Sequence, residues 1–291
     1  MKPECSLNSH QVCLALGVHF TPSLDGLIKM IYFLGMSHVI PVLDACSANG
    51  CAEQWPKLEN ERAPEFVEWR IRPGAMPSQL SVAYIYIKQI APHWGVVPAR
   101  MLEPTVLGIA PGFQSLLNSI NATLSDSILF TFMYGQEYVN MAQRTYNTPH
   151  DFQLPWRHDL IISPERQVLP YEIIQRQTAF HLLDSIANFK AIRITHPNLR
   201  IFNVICPPPG QADNFDNSGR QLLLLKYYLL YVKEISSFTK SIGIQTLVPP
   251  AESLTQDGYL KKEYIKDGVH GNNNYAELQV KQISMLSTIR G

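Results

Sequence analysis

This 291-residue chain predicts an α/β fold: a parallel sheet with helices on both faces. Short runs rich in aromatic and β-branched residues recur along it, and segments with helical spacing alternate with them. The runs are apolar throughout rather than at every second position, which is the pattern of strands buried on both faces. At 46% hydrophobic and 16% charged, the composition supports a sizeable core.

Residues 1–28 read as an N-terminal extension, with a short helix near Gln11 to Leu16. The first strand is Met30 to Leu34, and the tight turn at Gly35 leads to a helix from about Ser37 to Cys46, closed by Ser47-Ala-Asn-Gly50. Within about 52–105, Glu68 to Arg72 alternates strictly and Ser81 to Ile87 is rich in β-formers. With Pro73-Gly74 between them, they predict an inserted β-hairpin that could cap the site, extend the sheet or form a dimer contact.

Thr105 to Ile109 is a short apolar run that ends in Ala-Pro-Gly112, with a helix following over Phe113 to Leu124. Ser127 to Met133 reads as a buried strand with a helix after it, and 147–169 as a long ordered loop of the kind that often serves as a lid. Tyr171 to Ile194 has helical spacing. Leu199 to Cys206 is a strand stopped by Pro207-Pro-Pro-Gly210. A long helix over Ser218 to Lys240, a strand over Ile242 to Val248 and a last helix from Asn273 to Ile289 complete one domain spanning 1–291.

Lys+Arg and Asp+Glu both number 24, so the formal net charge is zero. This removes the electrostatic argument for nucleic acid or an anionic membrane as partner, and so apolar-rich a neutral chain could hide surface in a homo-oligomer. The five cysteines form no CxxC pair and no zinc spacing, and no phosphate loop or acidic metal cluster stands out, so neither metal nor cofactor is expected. No secretory pattern opens the chain. The greasiest run, Leu222 to Val232, contains Lys226 and falls short of the roughly 20 residues that span a bilayer, so a cytoplasmic protein is expected.

Two stretches can carry chemistry. Ser37 follows a central strand and opens a helix, where free N–H groups adjoin its hydroxyl; this is a nucleophile's position, although serine is also a common helix cap. Far downstream, Lys266-Asp-Gly-Val-His-Gly-Asn-Asn-Asn-Tyr275 sets Asp267 and His270 three residues apart in a turn before the last helix. A carboxylate so placed can fix the imidazole tautomer and stabilise the imidazolium; a solvated turn capped by Asn272 or Asn273 is the plainer alternative.

Together, Gly35-Met-Ser-His38 and Asp267-Gly-Val-His270, with the "D-G-x-H-x-N" run leading into the last helix, resemble the first and last blocks of the SGNH (GDSL-like) hydrolases. The resemblance implies a three-layer α/β/α, flavodoxin-like fold and an acyl-ester chemistry. It implies Ser37 as nucleophile, His270 as general base and Asp267 as the residue orienting it. Leu107-Gly-Ile-Ala-Pro-Gly112 resembles the second block and Met133-Tyr-Gly-Gln-Glu137 the third, which implies an oxyanion hole of the Ser37 and Gly112 N–H groups and the Gln136 amide.

The departures are Met36 for the family's aspartate, Gln136 for its asparagine, Glu137 for the next aspartate, and a longer interval from Ser37 to Gly112. Losing one oxyanion donor typically costs about 10²–10³ in rate, so Gln136 is the departure that bears on chemistry.

His38, Trp156 and Arg157 are candidates to contact substrate, although a residue such as His38 is ordinary in a first helical turn and tryptophan is more often core. The expected substrate is a small-molecule or carbohydrate O-acyl ester. Hydrolysis by Ser37, His270 and Asp267 is the leading expectation. An acyltransferase using the same triad, or a non-catalytic binding protein motivated by Met36 and Gln136, are the alternatives.

Overall fold

The computed structural model describes residues 150–210, 218–267 and 270–288, with 30–35, 53–54, 66–70, 81–86, 99–103, 106–109 and 128–132. It also describes positions 41, 42, 45, 113, 114, 117, 118, 120 and 138. The N-terminal extension before Met30 and the Pro73-Gly74 turn lie outside the described residues.

Seven of the described strands form one sheet. They are β1 (Met30–Gly35), β2 (Glu53–Gln54), β3 (Phe66–Arg70), β4 (Ser81–Tyr86), β7 (Ile128–Phe132), β10 (Arg200–Val204) and β11 (Gln245–Leu247), in the order β11-β10-β7-β1-β4-β3-β2. The pairings β1–β4, β1–β7, β7–β10 and β10–β11 are all parallel. Numbered along the chain, these five parallel strands run 2-1-3-4-5, the flavodoxin-like order, whose switch point lies between β1 and β7.

Three described strands of the segment 52–105 join this sheet. Its β4 lies parallel to β1, with Met30 beside Ser81 and Gly35 beside Tyr86, and β3 and β2 follow antiparallel. Of the three roles open to the predicted hairpin, its described strands extend the sheet.

The apolar run ending at Ile109 lies elsewhere. As β6 (Val106–Ile109) it pairs antiparallel with β5 (Ala99–Glu103) in a separate ladder. Leu107 and Ile109 are only half-buried.

Alternation along the central strands sends side chains into two cores, one on each face. Tyr32, Leu34, Leu129 and Ile201 face helices α1 (Tyr171–His181), α2 (Leu183–Thr195) and α3 (Ser218–Ser241). Phe33, Ile128, Phe130, Phe132, Phe202 and Val204 face the other way, onto α4 (Asn273–Thr288) and the helical positions Val42 and Ala45. Here the register lines up three rings across the sheet, Phe33 at 5.8 Å from Phe130, and Phe130 stacked at 5.0 Å on Phe202. The architecture is therefore three layers, α/β/α.

Two predicted elements differ in detail. Tyr171 to Ile194 is broken at Leu182, which leaves the helix at φ −86° and ψ −4° with its side chain fully buried. The two helices remain linked through it, Leu182 N–H donating to the Thr178 carbonyl at 3.0 Å and its carbonyl accepting from Ile186 at 2.8 Å; α1 buries Ile174 and Thr178, whereas α2 is deeply buried.

The loop 147–169 holds a short parallel ladder of β8 (His150–Asp151) and β9 (Gln167–Val168), and it is anchored rather than free. Phe152 and Leu154 are fully buried, and Phe152 packs edge-on against Tyr227 at 5.0 Å. The Asp151 carboxylate meets Lys226 of α3 at 2.9 Å, both side chains sealed from solvent. Of its described residues, Asp151, Phe152, Leu154 and Leu160 are buried and anchor this ordered loop to the core, while Trp156, His158, Asp159 and Ile161 are exposed.

Candidate functional site

The segment after β11 returns to the end of the sheet where the parallel strands finish. A hairpin turn at Gly258 (φ +97°) lets Thr255 N–H donate to the Tyr259 carbonyl at 2.8 Å and brings Leu254 beside Leu260. Leu260 N–H then donates to the Pro209 carbonyl at 3.1 Å, and Leu260 bridges Gly210, six residues past β10. A Cβ at Gly210 would run into the Ile265 side chain, so glycine is what admits Ile265 there. Tyr138, six residues past β7, donates from its hydroxyl to the Pro207 carbonyl at 3.4 Å and packs edge-on against Tyr228. Segments following β7, β10 and β11 thus meet at the carboxyl edge of the sheet.

On this foundation sits the turn that carries Asp267 and His270. Ile265 bridges Gly271, and Lys266 N–H donates to the His270 carbonyl at 3.0 Å. The His270 imidazole lies with Nδ1 at 2.9 Å from both Asp267 carboxylate oxygens, and Oδ1 also accepts the His270 backbone N–H at 2.8 Å. A carboxylate only accepts, so Nδ1 carries the proton and the neutral ring presents its base at Nε2. The His270 side chain is 22% exposed and that of Asp267 49%, so the pair sits at the surface rather than in the core.

Beneath it lies a buried group of Tyr228, Tyr275 and Cys206, in which Tyr228 donates to the Cys206 carbonyl at 3.0 Å. Burial pushes both phenols well above their ordinary range, and Cys206 adds to the effect on each.

Comparison with known proteins returns similarity of shape only. No protein-family model matches the chain, and no curated protein matches it. Among solved structures, a proposed acylhydrolase from Bacteroides fragilis is 11% identical at a TM-score of 0.43, with 99% of this chain and 98% of that one covered. A GDSL-like lipase from Bacteroides thetaiotaomicron is 9% identical at 0.43, covering 96% and 97%. The M. smegmatis aryl esterase is 11% identical at 0.35, covering 89% and 97%. Likenesses at this level assign no activity to the chain, whose chemistry has to be argued from its own residues.

Of the other residues singled out in the sequence, Ser37, His38, Gly112 and Gln136 lie outside the described residues. In the chain, Ser37 comes two residues after β1 and Gln136 four after β7, the two strands that flank the switch point.

Trp156 is 38% exposed and packs edge-on against Tyr171, with the Lys233 ammonium 3.7 Å above its ring. Arg157 grips Asp159 through Nε and Nη2, at 2.7 to 3.1 Å, and donates to the Asp257 carbonyl at 3.1 Å. The Asp159 hydrogen bond raises the guanidinium pKa and lowers that of the carboxyl. Arg157 therefore ties the 150s to the Gly258 turn, one step from the His270 loop.

Sequence reasoning missed two parts of this arrangement. One is the Asp151–Lys226 pair, whose only signal was a lone lysine in an aliphatic helix. The other is the reach of Asn272 beyond a helix cap.

Proposed function

We propose that this protein is a serine-dependent ester hydrolase in which Ser37, His270 and Asp267 act as nucleophile, general base and orienting carboxylate. The observation that carries the reading is the Asp267 carboxylate held at 2.9 Å on His270 Nδ1, in a loop at the carboxyl edge of a 2-1-3-4-5 sheet. Open α/β sheets bind ligands in the crevice outside the carboxyl ends of their strands, at the switch point. Here β1, the strand two residues before Ser37, borders that point.

In this reading Ser37 Oγ attacks the ester carbonyl while His270 Nε2 takes its proton, and Asp267 stabilises the imidazolium. The Ser37 and Gly112 N–H groups and the Gln136 amide hold the oxyanion. As the tetrahedral adduct collapses, the carbon–oxygen bond breaks and the imidazolium protonates the departing alcohol. Water, deprotonated by His270, then attacks the acyl-serine; the bond from the acyl carbon to Ser37 Oγ breaks, the imidazolium returns the proton to Oγ, and the acid leaves. The substrate class is an O-acyl ester, either an acylated carbohydrate or a small acyl ester. An alcohol in place of water would make the same machinery an acyltransferase.

Incubation with a fluorophosphonate, read by intact mass, tests the proposal. One adduct that Ser37→Ala and His270→Ala each abolish supports it. A folded protein that takes no adduct, and turns over no acyl ester, contradicts it and favours a binding role.

A further inference from the structure

We infer that Asn272 is the positioning residue of this site: its side-chain amide holds the turn that keeps the His270 imidazole on Asp267. The inference rests on the reading of His270 as general base and adds a residue to it. Asn272 Oδ1 accepts the Tyr275 N–H at 3.2 Å, which caps α4. Its Nδ2 donates to the Glu263 carbonyl at 2.8 Å, with the Ile265 carbonyl at 3.5 Å. Its own backbone N–H donates to the Tyr264 carbonyl at 2.8 Å, and its carbonyl accepts from Ala276 at 3.0 Å. One residue thus ties the chain entering the turn, at 263–265, to the helix leaving it.

A plain helix cap requires only the acceptor. The amide donor is the surplus, and it acts across the base of the loop. Two glycines mark how closely the loop is held. Gly210 leaves room for Ile265 on one side, and at Gly271 a Cβ would run into the Tyr275 ring on the other. Between these contacts, residues 266–270 carry the carboxylate and the imidazole.

The chemistry separates the two functions of Asn272. In Asn272→Asp the Oδ1 cap survives, while a carboxylate oxygen faces the Glu263 carbonyl and the tie is lost. In Asn272→Ser the hydroxyl still caps but is too short for the carbonyl. Both variants are expected to melt close to the wild type. Both are expected to lose about tenfold to a hundredfold in kcat with KM little changed, the usual cost of a small misplacement.

The decisive readout is the His270 Nδ1–H proton, followed by NMR on protein with 15N-labelled histidine. In the wild type it gives a downfield signal from the carboxylate hydrogen bond, and in both variants that signal weakens or exchanges away. Wild-type kcat with an unchanged signal overturns the inference. So does lost activity with an unchanged signal, because Asn272 then acts by another route. If one variant fails to fold, the other carries the test. A wild-type protein without esterase activity or fluorophosphonate adduct defeats the functional reading alone, and the ring proton still decides the role of Asn272.

Discussion

The ammonium of Lys226 lies 2.9 Å from the Asp151 carboxylate, and the two side chains are 0% and 3% exposed. The pair is fully furnished with hydrogen bonds: Lys226 also donates to the Ile161 carbonyl, and Asp151 accepts from the N–H groups of Phe152 and Ser163. It fastens the 150–163 segment to α3. Removing one member strands a buried charge, which typically costs about 3–5 kcal/mol. Lys226→Met is expected to lower the urea unfolding free energy by that order, and adding Asp151→Asn to recover part of it. A Lys226→Met midpoint equal to that of the wild type would contradict the account.

Asp267 is half exposed, and in the proposed mechanism it orients the ring rather than stabilising the fold. Asp267→Asn retains the shape but makes the residue at Nδ1 a donor or a neutral acceptor, which favours the wrong tautomer. The expected result is a loss in kcat of between about 10² and 10⁴, with an unchanged melting temperature. Steady-state kinetics on an activated acyl ester, beside a thermal melt, measures both.

Tyr228 and Tyr275 give stability a sign at alkaline pH. Burial raises both phenols well above 10.0 in the folded protein, whereas the unfolded chain ionises near that value. Above about pH 10 the unfolded state therefore releases protons that the folded state retains, so stability falls as pH rises. Below that pH the contribution is fully present. Circular dichroism melts between pH 8 and 12 should show this decline, and Tyr275→Phe should flatten part of it.

Gly243 ends α3 with φ +71°, its N–H donating to Lys240 at 3.1 Å while Ile244 donates to Thr239 at 2.8 Å. This pair of bonds turns the chain directly into β11. Alanine meets no clash of contacts there, but the left-handed backbone costs an L-residue about 1–2 kcal/mol. Gly243→Ala should lower the unfolding free energy by that amount without altering catalysis, as chemical denaturation and an activity assay would show.

The legible parts of the fold were those where burial on both faces writes itself as an uninterrupted apolar run. Met30 to Leu34, Ser127 to Met133 and Leu199 to Cys206 became three adjacent strands inside the sheet, and the aliphatic run around Lys226 became a core helix. Partner choice was less legible. The Ser81 to Ile87 stretch announces a strand, yet its parallel pairing with β1 is a contact across some fifty residues that no local pattern encodes. The short apolar run ending at Ile109 gave no sign of its partner: Leu107 to Ile109 are half-buried, and the strand pairs with β5 outside the main sheet. No glycine or proline marks the junction of α1 and α2 at Leu182, whose side chain is buried.

At the site, the spacing of Asp267 and His270 was readable because three residues in a Gly-rich turn leave few ways for the side chains to avoid each other. Asn272 read only as a cap, since its bond to Glu263 depends on how the loop returns.

In the proposed mechanism His270, held by Asp267, activates Ser37. The most direct test is the fluorophosphonate adduct on the intact protein, measured beside Ser37→Ala, His270→Ala and Asp267→Asn. The account predicts a single adduct in the wild type, none in the first two variants and slowed formation in the third. A folded wild-type protein that stays unlabelled, or an adduct that persists in Ser37→Ala, would contradict it.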